Sequence, residues 1–274
     1  MQNRHVLKKL KAPKNLQQLF IPTLVILALG LSFFSGTLWQ RVKNLESGGV
    51  AQGTADQPEA TPSAPAVTLD AIKDLFDKDL VKFGDNSRKV IFVEISDPSC
   101  PYCQVAEGLN STLNSQVGAQ FKLVKDGGTY VAPVPEMRKL VDAGTASFIW
   151  IYSPGHGNGE MGTKALYCAN EKGKFWNVMD LLMTATGYDF LNKTILNDKT
   201  KSGDMATFLK SAVDPVFLKE CLDSGKYDQR LTADEQVARS LGFRGTPDFF
   251  VNATNFAGAY SYTDIKSTVD AALK

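Results

Sequence analysis

Two cysteines three residues apart, Cys100 and Cys103, stand directly after a run of β-branched and apolar residues in this sequence. The run at 89–96 (KVIFVEIS) predicts a buried strand, and the residues from Cys100 to about Leu109 predict a helix. A strand that leads straight into a helix is typical of an α/β fold. The cysteine pair therefore lies where a strand passes into a helix.

The two thiols of this junction differ in their predicted chemistry. Cys100 lies at the predicted helix N-terminus, where unpaired backbone N–H groups and the helix dipole stabilise a thiolate. Pro101 is tolerated there because the early helical N–H groups have no partner. Cys103 lies one turn into the helix, is better covered, and suits the resolving role in thiol–disulfide exchange. The pattern predicts Cys100 as the nucleophile.

The pair could instead form half of a zinc site, with Cys168 and Cys221 as the other two ligands. Structural zinc sites usually combine two short-spaced cysteine pairs, whereas Cys168 and Cys221 are far apart in the sequence. The chain has only 2 histidines, which excludes a histidine-rich metal site. We therefore expect no metal and no organic cofactor.

The N-terminal residues have the pattern of a membrane anchor. Residues 1–14 carry five basic residues and no acid, and no charged residue occurs from 15 to 40. The apolar part at 19–39 is long enough to cross a hydrocarbon core of roughly 30 Å as a helix. The positive-inside rule then predicts a cytoplasmic tail at 1–18, a single-pass anchor in the cell membrane and an exported body. The alternative is a cleaved signal peptide, whose apolar region is usually shorter.

Residues 40–67 predict a flexible linker, and 68–274 predict the folded body. The linker is dominated by Gly, Ala, Ser, Thr and Pro and has no apolar period. The net charge is +1, with 30 Lys and Arg against 29 Asp and Glu. Because the bases concentrate at the N-terminus, the body is mildly acidic, which argues against nucleic acid as a partner.

Strand and helix patterns alternate along the body. The predicted elements are a helix capped by Thr68, strands at 89–96 and 148–152, helical spacing at 160–183, a helix capped by Asp214, a helix started by a capping box at Thr232 and Glu235, strands at 249–252 and 256–260, and a C-terminal helix. This order predicts an α/β sheet with a helical insertion at about 157–242. The Gly- and Pro-rich stretch at 118–145 is either an added loop or hairpin near the cysteine pair, or a plain surface insertion.

Three features together resemble the DsbA-like branch of the thioredoxin superfamily, which consists of exported thiol:disulfide oxidoreductases. They are the junction VEISDPSCPYC, the turn Gly245-Thr246-Pro247 before the strand pattern DFFVN, and the helical block between them. The resemblance covers about 68–274 and implies a thioredoxin-like sheet with a helical insertion. It implies that Pro247 is cis and faces the disulfide as part of the catalytic site. It also implies that Pro101, Tyr102 and Thr246 contact an extended substrate.

The resemblance assigns a role to Glu94 as well. The family places a buried acid beneath the disulfide at this position, where it relays a proton to or from Cys103 and where burial raises its pKa. Strand alternation that turns Glu94 to solvent is the alternative. Tyr102 departs from the strongly oxidising members, which carry His, so we expect a less oxidising couple. Cys-Pro-Tyr-Cys also occurs in glutaredoxins, but the anchor and the helical block argue against that family.

Cys168 and Cys221 both fall on apolar helix faces in the helical block. In an oxidising compartment such a pair commonly forms a structural disulfide. The alternatives are two buried free thiols and a second redox pair.

The sequence thus predicts a membrane-anchored, extracytoplasmic enzyme that exchanges disulfides with the thiols of exported proteins and acts as an oxidase. A separate redox partner must then reset the Cys100–Cys103 pair. One alternative is a disulfide reductase or isomerase, which keeps the pair reduced at rest. The other is a thioredoxin-like binding module without turnover.

Overall fold

The computed structural model describes residues 67–274. The predicted cytoplasmic tail at 1–18, the predicted anchor at 19–39 and nearly all of the predicted linker at 40–67 lie outside the described residues. Between residues 67 and 274, no helix is long and apolar enough to cross a bilayer.

A mixed sheet of five strands forms the centre of the body. The strands are β1 (Val81–Phe83), β2 (Val90–Ser96), β3 (Ala146–Tyr152), β4 (Asp248–Val251) and β5 (Thr254–Ala257). Their order across the sheet is β1-β3-β2-β4-β5, so β2 occupies the middle. Strands β2 and β3 run parallel, and the other neighbouring pairs are antiparallel. The predicted α/β sheet is confirmed.

Helices cover both faces of this sheet. They are α1 (Leu69–Lys73), α2 (Pro101–Glu107), α3 (Ser111–Gln116), α4 (Pro133–Asp142), α5 (Glu160–Asn170), α6 (Phe175–Leu182), α7 (Ala185–Asp189), α8 (Ser202–Phe208), α9 (Pro215–Asp223), α10 (Asp228–Ser240) and α11 (Tyr262–Leu273). A π-helical segment, Phe190–Ile195, follows α7. Helices α5 to α10 lie between β3 and β4 and form the predicted helical insertion.

The middle strand β2 is buried on both of its faces, which explains its almost continuous apolar sequence. Phe92 packs with Phe148 in the core that includes residues of α2, α4 and the insertion. Ile91 and Val93 lie in a second core with residues of α1 and α10. Because alternate residues of a strand point to the same face, Glu94 shares the face of Phe92 and lies on the side covered by α2.

The predicted capping box is wrong. Helix α10 begins at Asp228, so Thr232 and Glu235 lie inside it rather than at its start. The Asp228 carboxylate contacts Lys164 Nζ at 2.5 Å and Lys199 Nζ at 2.7 Å. The Asp228 carboxylate in the first turn interacts favourably with the helix dipole, and its ion pairs with Lys164 and Lys199 attach this end of the helix to neighbouring segments.

Two further predicted boundaries differ from the structure. The strand predicted at 256–260 is β5, which starts earlier and ends before Gly258, a residue at φ 117°. Asn252, at φ 53°, makes the tight turn that brings β5 forward. The helical spacing at 160–183 is divided between α5 and α6 by a turn that contains Gly173 at φ 64°.

The stretch at 118–145 is not a hairpin. It holds short 3₁₀ turns, one isolated bridge between Leu123 and Tyr130, and the helix α4. Pro133 opens α4 at the first helical position, where proline is favoured, and Met137 anchors the helix in the core. The prediction missed α4 because its proline content suggested a loop.

Candidate active site

Cys100 is the residue that precedes the first turn of α2. Its backbone is extended (φ −79°, ψ 128°), and Pro101 begins the helix. Both Cys100 and Cys103 are free thiols, with 2% and 0% of their surface exposed. The Cys103 sulfur accepts a hydrogen bond of 3.5 Å from the backbone N–H of Asp97. The two cysteines thus occupy the junction between β2 and α2 in the predicted order.

The two thiols have opposite acidities. A hydrogen bond from the Cys103 thiol lowers the pKa of Cys100 to about 6, against the opposing effect of burial. Smaller contributions come from Thr246 and from the backbone N–H groups of Cys103 and Tyr102. Burial raises the pKa of Cys103 well above its usual range, and its hydrogen bond to Cys100 adds to this effect. Near neutral pH, Cys100 is therefore the thiolate and Cys103 the protonated thiol.

The Thr246–Pro247 turn stands directly beside Cys100. Its peptide bond is cis, as the resemblance implies. The Cys100 sulfur lies 3.5 Å from the carbonyl oxygen of Thr246, to which the protonated form of the thiol donates a hydrogen bond. Helix α2 and the turn before β4 are separated in sequence by β3 and the whole helical insertion, and they meet at one sulfur atom.

Glu94 lies fully buried in β2, on the sheet face that α2 covers. Neither carboxyl oxygen has a hydrogen-bond partner. Burial raises the pKa of Glu94 to about 7. The alternative that strand alternation turns this side chain to solvent does not hold in the structure. A group with this pKa can give or take a proton near neutral pH.

A second buried acid, Glu107, was missed in the sequence. It lies on α2 four residues after Cys103, on the same helix face, and is 3% exposed. Burial, and next the charge of Glu94, raise the pKa of Glu107 well above its usual range. The four-residue spacing from Cys103 could have revealed Glu107, because a residue four positions from a buried cysteine on a helix also faces the core.

The predicted substrate-contacting residues border the pair. Tyr102 is 43% exposed, and its ring lies 5.7 Å from that of Phe121. Phe121 in turn packs edge-on against Tyr130 at 5.6 Å. The stretch at 118–145 therefore lies next to the cysteine pair, where one of the two readings of the sequence placed it.

Cys168 and Cys221 form a disulfide between α5 and α9, with their Cα atoms 6.1 Å apart. Both sulfurs lie close to the Glu171 carboxylate. Because each sulfur is bonded to the other, neither is available to a zinc ion shared with Cys100 and Cys103.

Comparisons with known proteins show what this chain is similar to. A family model described as Thioredoxin matches residues 134–271, about half of the chain. A protein of Rickettsia conorii whose name describes a protein-disulfide oxidoreductase is 24% identical over 80% of this chain and 69% of its own length. An Na(+)/H(+) antiporter of Salinispora tropica is 25% identical over 70% of this chain, which spans 24% of the antiporter's length.

One solved structure shows the same fold over most of the body. The crystal structure of Wolbachia pipientis alpha-DsbA1 superposes with a TM-score of 0.53 and 16% identity. The match covers 71% of this chain and 91% of that one. The fold is therefore thioredoxin-like, with the helical insertion that the DsbA-like resemblance implied.

Proposed function

The chain belongs to the thioredoxin family and has a DsbA-like fold, and from this premise we propose that it is a thiol:disulfide oxidoreductase of exported proteins. The observation that carries the proposal is the placement of Cys100. Its sulfur has a lowered pKa and lies at a helix start, 3.5 Å from the carbonyl oxygen of the residue before the cis proline. The protonated thiol of Cys103 lies one helical turn away.

In the oxidase direction, the Cys100–Cys103 disulfide is the oxidant. A substrate thiolate attacks the Cys100 sulfur, breaks the enzyme disulfide and forms a mixed disulfide, while Cys103 leaves and takes up a proton. A second substrate thiolate then attacks the substrate sulfur and releases Cys100 as a thiolate. The substrate loses two electrons and two protons, and the enzyme disulfide gains the electrons. A redox partner that accepts two electrons completes the cycle.

Glu94 suits the proton transfer at Cys103. A thiolate at this buried position is unfavourable, since its pKa lies well above the usual range. A carboxyl group on the covered face of β2 with a pKa of about 7 holds a proton for much of the time at neutral pH. It can therefore supply the proton when Cys103 leaves and take it back when Cys103 attacks.

The Thr246–Pro247 turn supplies the substrate contact. The Thr246 carbonyl oxygen lies 3.5 Å from the Cys100 sulfur, and the ring of the neighbouring Tyr102 is exposed. An extended substrate segment can pair its backbone with this turn while its cysteine reaches the sulfur.

Export and membrane attachment complete the proposal. They rest on the basic residues at 1–14 and the uncharged run that follows them. The full chain should stay with the membrane pellet after alkaline carbonate washing. Recovery in the supernatant would contradict an uncleaved anchor.

Two matched variants test the activity. Cys100→Ser should abolish oxidation of a reduced, unfolded protein substrate, because the attacked sulfur is gone. Cys103→Ser should instead accumulate a mixed disulfide when it is given a disulfide-bonded substrate, because the Cys100 thiolate opens the substrate disulfide and no thiol at position 103 resolves the product. The product is visible as a reducible band on a gel. A binding module without turnover would behave alike in the wild type and both variants. The thiol state at rest, read with an alkylating mass tag, separates an oxidase from a reductase or isomerase.

A further inference from the structure

A glycine-rich loop, residues 153–159 (SPGHGNG), packs against Cys100. A Cβ atom at Gly155 would collide with the Thr246 hydroxyl and would lie 3.0 Å from Cys100 Cβ and 3.3 Å from its sulfur. The loop therefore approaches the nucleophile as closely as a backbone without a side chain allows. Together with the Thr246–Pro247 turn, it leaves Cys100 only 2% exposed.

One buried carboxylate holds this loop in place. Asp97 is fully buried and follows β2 directly. Its Oδ2 accepts hydrogen bonds from the backbone N–H of Gly155 at 2.6 Å and of His156 at 3.0 Å. Its Oδ1 accepts from the N–H and the hydroxyl of Ser99, both at 2.7 Å. Asp97 thus ties the residue before Cys100 to the loop that lies against it.

The helical insertion adds ties to the same loop. Asn197 Nδ2 donates a hydrogen bond of 2.7 Å to the carbonyl oxygen of Gly157. Asn158 Nδ2 donates to Asn192 Oδ1 at 3.1 Å, and Asn192 Nδ2 donates to the carbonyl oxygen of Ser99 at 3.1 Å. The loop is therefore fixed from both sides.

We propose that Asp97 is a positioning residue that holds residues 153–159 as a second wall of the Cys100 site, and that this wall limits the access of bulky groups to the Cys100 sulfur. The wall does not rest on the proposed function. A small molecule can reach the sulfur past the loop, whereas a bulky group attached to the reacting atom must contact the wall.

The test compares reagent size at the reduced thiol. Cys100 is alkylated with N-ethylmaleimide and with a maleimide attached to a long polyethylene glycol, and the ratio of the bulky to the small rate constant is taken. Asp97→Asn keeps the side-chain volume but places an amide NH₂ against N–H donors. We expect the ratio to rise about fivefold, the equivalent of about 1 kcal/mol for weakened hydrogen bonds. An unchanged ratio overturns the proposal, even if the melting temperature falls.

Two further variants provide a control for this test and a substitute for Asp97→Asn. Asp214→Asn alters a carboxylate that accepts the Phe217 N–H at the start of α9, away from the loop, and should leave the ratio unchanged. If Asp97→Asn does not fold, Asn197→Gly removes the tie to Gly157 while it tolerates the local φ of 59°. It should raise the ratio in the same direction, and no rise would overturn the proposal.

Discussion

Replacement of Glu94 by Gln should remove a pH-dependent destabilisation of the fold. Burial raises the pKa of this carboxyl from its ordinary value of 4.5 to about 7. Between these two values the folded state holds a proton that the unfolded state has lost, so stability falls as the pH rises. The loss is absent below 4.5, is complete above about 7, and amounts to about 3 kcal/mol by linkage.

Urea unfolding of the reduced protein at pH 5 and pH 8 measures this effect. Between these pH values, the advantage of Glu94→Gln over the wild type should grow by about 2 to 3 kcal/mol. The lowered pKa of Cys100 contributes an opposite pH dependence, but it is present in both proteins and cancels in the difference. The buried amide has its own cost, which does not vary with pH. Glu220→Gln, on the exposed side of α9, provides the matched control.

A difference between wild type and Glu94→Gln that stays constant from pH 5 to pH 8 would refute the reasoning. It would mean that the carboxyl ionises in the folded protein as it does in the unfolded chain. Glu94 could not then hold a proton for Cys103 at neutral pH, and the proton transfer step would need another group, such as the buried Glu107.

Further predictions concern the thiols and the wall. Alkylation of Cys100 should titrate near pH 6, and a midpoint near 9 would contradict the lowered pKa. Tyr102→His should lower that midpoint further, because a cation close to the sulfur stabilises the thiolate; a higher midpoint would show that the ring does not reach it. Removal of the Cys168–Cys221 disulfide by Ala at both positions should cost roughly 4 kcal/mol in urea unfolding, and a loss below about 1 kcal/mol would show that the bond adds little. Gly155→Ala should slow alkylation of Cys100 severalfold, because the added methyl group would lie against the sulfur. An unchanged rate would show that the loop moves away from Cys100 to make room for it.

Local signals in the sequence were enough to place the cysteine pair at a junction of strand and helix. The strand before Cys100, the helix after it and the turn at Thr246 each have a short-range pattern, and the resemblance joined them. The position of Glu94 in a continuous apolar strand also pointed to burial. These predictions succeeded because a central strand and a helix start are decided by residues close together in the chain.

Features that depend on distant partners were missed. Strand β1 has only three residues, and its existence depends on antiparallel pairing with β3. The capping box at Thr232 failed because the helix begins earlier, where its first turn makes ion pairs with Lys164 and Lys199. Asp97 gave no signal, since two of its four donors lie on a loop more than fifty residues later. No local pattern reports such long-range hydrogen bonds.

The acidity of Cys100 also bears on the direction of exchange. At pH 7 a thiol with a pKa of about 6 stabilises the reduced enzyme by roughly 1.4 kcal/mol, or about 30 mV for a two-electron couple. A thioredoxin-fold enzyme whose cysteine has a pKa near 3.5 gains roughly 5 kcal/mol in the same way, about 100 mV. Tyr102 in place of His fits the smaller gain. In the proposed function, ionisation of Cys100 thus contributes only about 30 mV to an oxidising couple, so the potential of the proposed redox partner sets the direction in which electrons flow.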